Sequence, residues 1–227
     1  MHHPSVILVP QGAEYQAVCR GLKSVKTMAP SVLPIPACPA PASRRVQMLV
    51  ETGQLPRDRA VVLVGLCGSL TPTLTVGDVV LYQACLAGKA TVSESIRLPT
   101  DSEFFDRCRR KMTLVNGYTS DRVVCLAVEK QQLAQQVAAQ VVDMEGYSVL
   151  KLLNAAGIAA TIIRVVSDDC QHNLPDLTGV YDADGLLKPG VMAGKMIQHP
   201  IASWHLIRGA LRGLAVLQTT IAALFTP

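Results

Sequence analysis

The stretch VVDMEGYSVLKLLNAAGIAATIIRVVSDD, from Val141 to Asp169, combines two apolar elements with carboxylates at their ends. Its first half shows the apolar spacing of a helix, and its second half is a run of β-branched residues typical of a buried strand. For Glu145 the helix dipole is a sufficient explanation, because it favours an acid in the first turn. Asp168 differs, because ligands of α/β sheets bind at the carboxyl ends of strands.

The alternation of strands and helices continues on both sides of this stretch and predicts the fold class. Strands are predicted at residues 5–10, 59–70, 75–86, 122–128 and 159–166, and helices at 12–22, 44–53, 101–111, 129–140 and 145–156. Segments 28–43 and 174–190 are predicted as extended chain or loop. This order predicts an α/β fold, a single domain with a central mixed β-sheet flanked by helices. We expect residues 1–200 to form the domain and 201–227 to add a long C-terminal helix to it.

Composition narrows the class of protein and its partners. The 227 residues are 49% hydrophobic and 17% charged, with a net charge of +4 and 4% aromatic residues. Scattered basic residues and few aromatics argue against a nucleic-acid partner, which needs basic patches and stacking surfaces. The seven Cys form no CxxC pair, which argues against a zinc site and favours a reducing compartment. Without a signal-peptide pattern or a run long enough to span a bilayer, the protein is expected in the cytoplasm.

Four segments, in order along the chain, resemble the nucleoside phosphorylase/nucleosidase superfamily. They are ILVPQGAEYQAV from Ile7, GLCGSLTPTLTVGDVVL from Gly65, VVDMEG from Val141 and IRVVSDD from Ile163. The superfamily includes methylthioadenosine/S-adenosylhomocysteine nucleosidase, futalosine hydrolase and the purine nucleoside phosphorylases. The resemblance implies an N-glycosidase (nucleosidase) or nucleoside phosphorylase that acts on a small-molecule adenine nucleoside, with no cofactor and no metal.

A narrower resemblance involves the C-terminal half of the chain. The segments LAVEKQQLAQQVAAQVVDMEG, RVVSDD and HPIASWHLIRGALRGLAVL are similar to the hopanoid-associated phosphorylase branch. That branch implies release of adenine from adenosylhopane, an intermediate in the synthesis of bacteriohopane lipids. Hydrolysis of methylthioadenosine, S-adenosylhomocysteine or futalosine is the alternative within the superfamily, and a non-catalytic nucleoside-binding protein is the alternative outside it. The presence of both Glu145 and Asp168 argues against the non-catalytic alternative.

The resemblance implies catalytic roles for two carboxylates. Asp168 corresponds to the acid that delivers a proton to N7 of the purine, which makes the base a better leaving group. Ser167 corresponds to the neighbour that orients this acid, and its alternative role is to cap the end of the strand. Glu14 corresponds to the carboxylate that activates the attacking water, with a solvated acid in the first turn of a helix as the alternative.

The same resemblance implies substrate contacts on the sugar side. Glu145 corresponds to the acid that accepts hydrogen bonds from the ribose 2′- and 3′-hydroxyls. Met144 corresponds to the residue that packs on the ribose, although an ordinary core Met is an equally good interpretation. Gly68 and Cys67 lie in the glycine turn, where the backbone can approach a ligand closely.

Two segments depart from the phosphorylase pattern. An Arg and a Ser that bind phosphate in bacterial purine phosphorylases correspond here to Leu63 and Leu66, so hydrolysis is favoured over phosphorolysis. Phosphate remains an alternative co-substrate if other residues supply the site, and the candidates are His2, His3, Arg20, Arg44 and Arg45. In the segment PACPAPAS, Cys38 and Ala40 stand where the family has glycines, and no site residue is assigned there.

The C-terminal helix has apolar residues at helical spacing, namely Ile201, Trp204, Ile207, Leu211, Leu214, Leu217, Ile221, Leu224 and Phe225. The favoured interpretation is a helix docked on its own domain or on a second subunit, and the family implies a homodimer. The alternative is an interfacial helix that makes peripheral contact with a membrane, since Trp204 stands near Arg208 and Arg212.

Overall fold

The computed structural model describes residues 4–23, 25, 29–55, 60–89, 92–98 and 103–226. The strands are β1 (Val6–Pro10), β2 (Ser31–Ile35), β3 (Val61–Ser69), β4 (Val79–Lys89), β5 (Val92–Arg97), β6 (Thr113–Thr119), β7 (Val141–Asp143) and β8 (Ala160–Asp168). The helices are α1 (Ala13–Leu22), α2 (Pro39–Glu51), α3 (Glu103–Arg109), α4 (Ala127–Gln136), α5 (Gly146–Ala155), α6 (Pro189–Gln198) and α7 (Pro200–Phe225).

The strands of the described residues form one mixed sheet that closes on itself. Its path is β2-β1-β3-β7-β6-β4-β5, and β8 pairs with both β3 and β4. Pairing therefore runs in a circuit through β3, β7, β6, β4 and β8, with β1 and β2 extending it on one side. β3 pairs with β8 in parallel and with β7 in antiparallel fashion. This closure brings the ends of β3, β7 and β8 to one place.

Two layers of side chains cover the sheet. Along β3, Val61 and Leu63 belong to a core cluster with α2 and α5, while Val62 and Val64 belong to a cluster with α1 and α7. Successive side chains of a strand point to opposite faces, so a strand covered on both faces needs apolar residues at every position. The uninterrupted run of Val and Leu in this strand meets that need.

The predicted fold class is confirmed, while several predicted elements are wrong. Residues 122–126 form no strand, and α4 begins at Ala127, inside the segment predicted as strand 122–128. The segment predicted as extended chain or loop at 28–43 contains β2 and the first turn of α2, because Pro39 starts that helix and a Pro is compatible with a first turn. Strands β5, β6 and β7 were not predicted, since β7 has only three residues and the other two carry polar side chains.

The long C-terminal helix is present, and its first half is covered on one side only, at Ser203 and Gly209. Leu217, Ile221 and Leu224 are buried in the cluster shared with α1, whereas Ile201 and Trp204 are exposed. The first half of α7 also contacts the short helix α6, which lies partly inside the segment predicted as loop. In the described part of the chain, no helix is long and apolar enough to cross a membrane.

Candidate active site

The pairing of β3 with β8 is irregular at their carboxyl ends, where Asp168 lies. The register between them shifts after Cys67, so that Gly68 pairs with Asp168. Such a bulge redirects side chains and is common beside active sites. Gly68 is needed here, because a Cβ on it would lie 2.7 Å from Oδ2 of Asp168.

A cavity of about 630 Å³ opens at these strand ends. It is large enough for a nucleoside that carries a further substituent. All seven residues that the sequence predicts for the site line this cavity, and they are Glu14, Cys67, Gly68, Met144, Glu145, Ser167 and Asp168. Residues separated by more than 150 positions in the chain thus meet at one site.

Arg164 organises the inner wall of the site. Its Nη2 lies 3.1 Å from Oδ2 of Asp143 and 3.3 Å from Oε2 of Glu145, and all three side chains are buried. Asp143 also accepts hydrogen bonds from the hydroxyls of Tyr82 (3.2 Å) and Thr119 (2.7 Å). With its oxygens occupied in this way, Asp143 holds Arg164 in place, and both Asp143 and Glu145 line the cavity.

Glu145 is the N-cap of α5, and its pKa is raised. Removal from water raises its pKa to about 8, although the positive charge of Arg164 and a hydrogen bond from the backbone amide of Cys38 act in the opposite direction. Asp143 supplies the helix with the expected local cap, because its Oδ1 accepts from the Gly146 amide at 3.1 Å. The Glu145 carboxyl is therefore not needed as a helix cap, and its ion pair with Arg164 holds it at the cavity.

Glu14 stands on the first turn of α1 and is held by the glycine turn. The Leu66 amide donates a 2.6 Å hydrogen bond to Oε1 of Glu14. Burial raises the pKa of Glu14 to about 7, against the lowering effect of Arg164 and of that hydrogen bond. A carboxyl with a pKa near neutrality can take up and release a proton at physiological pH, as a general base must.

Asp168 is fixed from two sides. Oγ of Ser167 lies 2.7 Å from Oδ1 of Asp168 and 3.2 Å from the carbonyl oxygen of Cys67. Nζ of Lys130 makes an ion pair with Oδ2 and also donates to the carbonyl oxygen of Asp169 at 2.6 Å. The acid that resembles the proton donor thus has an ammonium group as its direct partner.

Lys130 is a site residue that the sequence analysis missed. Its side chain is completely buried, which is rare for Lys unless a partner compensates its charge. In the sequence it stands in EKQQLAQQ, a segment of a predicted helix with a polar face. A Lys on such a face is normally solvated. The only available signal was its place within the hopanoid-associated resemblance, and that resemblance carried no role for it.

Cys38 has a strained backbone beside the site. Its φ of 72° and ψ of 148° fall in a region that glycine adopts readily and other residues rarely do. This position is where the family has a glycine and this chain does not. The strained turn starts α2 and directs the Cys38 amide toward Glu145. A segment to which no site residue had been assigned therefore contributes a backbone donor.

The residues considered for a phosphate site lie elsewhere. Leu63 is buried in the core, and Leu66 reaches the cavity with an apolar side chain. Arg20 donates to Gln218 and Arg44 to Asp184, outside the cavity lining. His2 and His3 lie outside the described residues. Within the described residues, no group of three or more His, Cys, Asp or Glu side chains is placed to hold a metal ion.

Solved structures that share this fold include two nucleosidases and a futalosine hydrolase. A Helicobacter pylori 5′-methylthioadenosine/S-adenosyl homocysteine nucleosidase in complex with a pyrrolidinol ligand superposes with a TM-score of 0.71 at 12% identity, covering 98% of each chain. A Streptococcus pyogenes S-adenosylhomocysteine nucleosidase in complex with 5-methylthiotubericidin gives 0.64 at 14% identity, over 96% of this chain and 95% of that one. A Helicobacter pylori futalosine hydrolase mutant gives 0.59 at 14% identity, over 71% and 87%. At such identities the likeness establishes the fold.

Comparison by sequence establishes the family. No curated protein matches the chain significantly. The model of the Phosphorylase superfamily matches residues 35–181, well over half of the chain, and this range contains Glu145 and Asp168. The match confirms the predicted superfamily and, with it, the predicted class of enzyme, a nucleosidase or nucleoside phosphorylase. By fold and by sequence, the chain belongs to the phosphorylase superfamily.

Proposed function

We propose that this protein hydrolyses the N-glycosidic bond of an adenine nucleoside and releases adenine. The observation that carries the proposal is the placement of Glu14, Glu145 and Asp168 on one cavity, with a different partner for each carboxylate. Glycosidic cleavage passes through a cation-like sugar, and it needs a proton donor at the leaving group and a base at the nucleophile. The three acids and their partners offer both.

Departure of the base is the first half of the reaction. The C1′–N9 bond breaks, its electron pair moves into the purine, and N7 takes up a proton from the Asp168–Lys130 pair. Asp168 presents the proton to N7, and Lys130 lies directly behind it as the group that can replace that proton. Ser167 donates a hydrogen bond to Oδ1 of Asp168 and fixes the carboxyl in the cavity wall. Asp168 and Lys130 together therefore form the acid.

Attack of water is the second half. The water oxygen forms a bond to C1′, and the proton that it loses passes to Glu14, which must be a carboxylate at that moment. Glu145 accepts from the ribose hydroxyls and places negative charge close to the cation-like sugar. The proton gained by Glu14 balances the proton given to the base, so the enzyme returns to its starting state by exchange with solvent.

Water is favoured over phosphate as the nucleophile. A phosphate dianion needs a cation that is free to bind it. Arg164 is the cation nearest to Glu14 and Glu145, and its Nη2 is already shared between Asp143 and Glu145. Arg122 also lines the cavity, and it is paired with Glu129. Neither guanidinium therefore has its pair of N–H groups free to bind two phosphate oxygens.

The mouth of the cavity supports a nucleoside with a large apolar 5′ substituent. Leu186 and Leu187 are about half exposed, and they line the cavity together with Leu174, Met192 and Leu206. Adenosylhopane, which the narrower resemblance implies, carries such a group. Methylthioadenosine, S-adenosylhomocysteine and futalosine are the alternatives, and the structural neighbours named for these nucleosides share the fold. We further propose that the enzyme is a homodimer of single-domain subunits.

A substrate panel tests the proposal. Purified enzyme is incubated in phosphate-free buffer with adenosylhopane, methylthioadenosine, S-adenosylhomocysteine or futalosine, and the free base is quantified by chromatography. We expect adenine release to be fastest from adenosylhopane, and Asp168→Asn to bind the same nucleoside without releasing base. If the wild type binds a nucleoside and never cleaves it, with or without phosphate, the protein is the non-catalytic binder and the proposal is wrong.

A further inference from the structure

The short helix α6 has an unusual relation to the rest of the molecule. None of its residues is buried, although its composition is mostly apolar. Ile197 at its end is 80% exposed, and Ile201 and Trp204 at the start of α7 are 77% and 61% exposed. Large exposed apolar side chains that cluster in one region mark an interaction surface. We refer to residues 186–212, which contain this cluster, as the docking segment.

The first half of α7 presents one continuous face within the docking segment. Ile201, Trp204, Arg208 and Leu211 follow the three- and four-residue spacing that places side chains on one side of a helix. All four are exposed. The opposite side, at Gly209 and farther along at Gly213 and Leu217, is buried against the domain. The helix therefore packs on the domain with one side and presents a partly apolar side to the solvent.

The charged side chains of the docking segment are all basic. From Leu186 to the end of the chain there is no Asp or Glu, while Lys188, Lys195, Arg208 and Arg212 are present. Lys195 pairs with Asp176, and the other three have no carboxylate partner within the described residues. A face that combines exposed Ile and Leu, a Trp and basic residues has the chemistry of helices that lie in the interface of an anionic bilayer.

The docking segment also adjoins the mouth of the cavity. Leu186 and Leu187 are about half exposed and at the same time line the cavity, as do Met192 and Leu206. An apolar path therefore runs from the nucleoside cavity to the exposed face of α6 and α7. A surface that rests on this face would cover the mouth.

We infer that the docking segment binds the surface of a bilayer that contains anionic lipids and holds the cavity mouth against it. A second copy of the chain is a poorer occupant, because a two-fold interface places the same patch against itself. Arg208 and Arg212 of one subunit would then oppose a segment that has basic residues and no acid to pair with them. Anionic headgroups pair with these cations, and the acyl region accepts the Ile, Leu and Trp side chains.

Trp204 provides the measurement, because it is the only Trp in the chain. Full-length protein is mixed with vesicles of phosphatidylcholine alone or with 30% phosphatidylglycerol (roughly the anionic content that attracts basic segments), and emission and co-sedimentation are recorded. We expect a blue shift of the emission and co-sedimentation with the anionic vesicles, and about tenfold weaker binding at high salt because of screening. Binding needs no catalysis, so this result is independent of the proposed function.

Matched variants separate docking from general hydrophobicity. Ile197→Ser/Ile201→Ser should abolish binding, and Arg208→Gln/Arg212→Gln should remove its dependence on anionic lipid. The control Met48→Ser/Leu114→Ser removes apolar side chains that are 41% and 40% exposed elsewhere, and it should bind like the wild type. Absence of binding to either vesicle by the folded wild type, or a concentration-dependent dimer that shields Trp204 without lipid, would overturn the inference.

Discussion

The ammonium group of Lys130 and the carboxylate of Asp168 form an ion pair in the wall of the cavity, across 38 positions of sequence. The Lys side chain is completely buried, and the Asp side chain keeps a small exposed edge on the cavity side. A buried Lys with one carboxylate partner and one carbonyl partner is held in a single geometry. This pair therefore fixes the position of the Asp168 carboxyl, and in the proposed mechanism it also supplies the proton that the base takes up.

Replacement of Lys130 should slow departure of poor leaving groups selectively. We expect Lys130→Met to lower kcat on adenine nucleosides by about 10²-fold, within the range of general acid catalysis. A riboside with a nitrophenol leaving group needs no proton, so its cleavage should remain within about threefold of the wild type. Lys130→Arg should recover part of the lost rate. Equal losses on both substrates would show that Lys130 only maintains the structure.

A methyl group at position 68 should displace the acid. The added Cβ of Gly68→Ala would meet Oδ2 of Asp168 at 2.7 Å and Cγ1 of Val142 at 3.3 Å, so the carboxyl must move. Because small displacements of a catalytic group are costly, we expect kcat to fall by about 10²-fold. Gly194→Ala, where a Cβ meets open space, is the control and should keep full activity. Full activity of Gly68→Ala would mean that Asp168 does not act from its observed position.

The rate should depend on pH through Glu14. Because this group must be a carboxylate to accept a proton, and burial raises its pKa to about 7, kcat should rise with pH through about 7. Glu145 must also be ionised to place negative charge beside the sugar, and its pKa is raised to about 8, so the rate should level only above that value. In Glu14→Gln the activity should be lost, whereas nucleoside binding should persist. A wild-type profile that is flat between about pH 5 and pH 9, a window of about two units on each side of that pKa, would remove Glu14 from the role of base.

The same group should make stability depend on pH in the opposite direction. The folded-state pKa of Glu14 lies above its ordinary value of 4.5, so the folded protein binds the proton more tightly than the unfolded chain. The contribution to stability is therefore fully present below pH 4.5 and is lost as pH rises through about 7. Urea denaturation of the wild type and of Glu14→Gln at several pH values measures it. The decline should be shallower in the variant.

Cys38 should be replaceable by Gly with a gain in stability. Its φ of 72° is unfavourable for a residue with a Cβ, and the strain exceeds the entropy that a Gly adds to the unfolded chain. We expect Cys38→Gly to raise the free energy of unfolding by about 1 kcal/mol. Cys19→Gly, inside α1, is the matched control and should lower it by about 1 kcal/mol. Destabilisation by Cys38→Gly would show that the thiol contributes packing that outweighs the strain.

The sequence predicts those parts of the molecule whose physical signal is local. The strand β8 and its terminal Asp168 were predicted because a buried strand needs continuous apolar residues and an acid at its end stands out. Glu145 and Glu14 were predicted from motifs that keep their spacing. The strand β7 was missed because three residues are too few to show a period, and β2 was hidden by Pro34 in a Pro-rich segment.

Side-chain contacts between residues far apart in the sequence were harder to predict. Arg164 is a buried cation on β8, and nothing in the strand itself specifies that Asp143 and Glu145 share it. Lys130 was missed because a Lys on a polar helix is normally solvated, and only the packing of α4 against the end of β8 makes it a buried partner. Both cases depend on contacts between distant segments, and a single sequence carries no direct record of such contacts.

Oxygen transfer from water to the sugar tests the central claim most directly. The enzyme is incubated with its best nucleoside in ¹⁸O-enriched water, with and without phosphate, and the sugar product is analysed by mass spectrometry beside free adenine. Hydrolysis predicts one ¹⁸O atom at C1′ and equal adenine release in both buffers, with loss of both products in Asp168→Asn. A sugar 1-phosphate that forms only when phosphate is present would contradict the account.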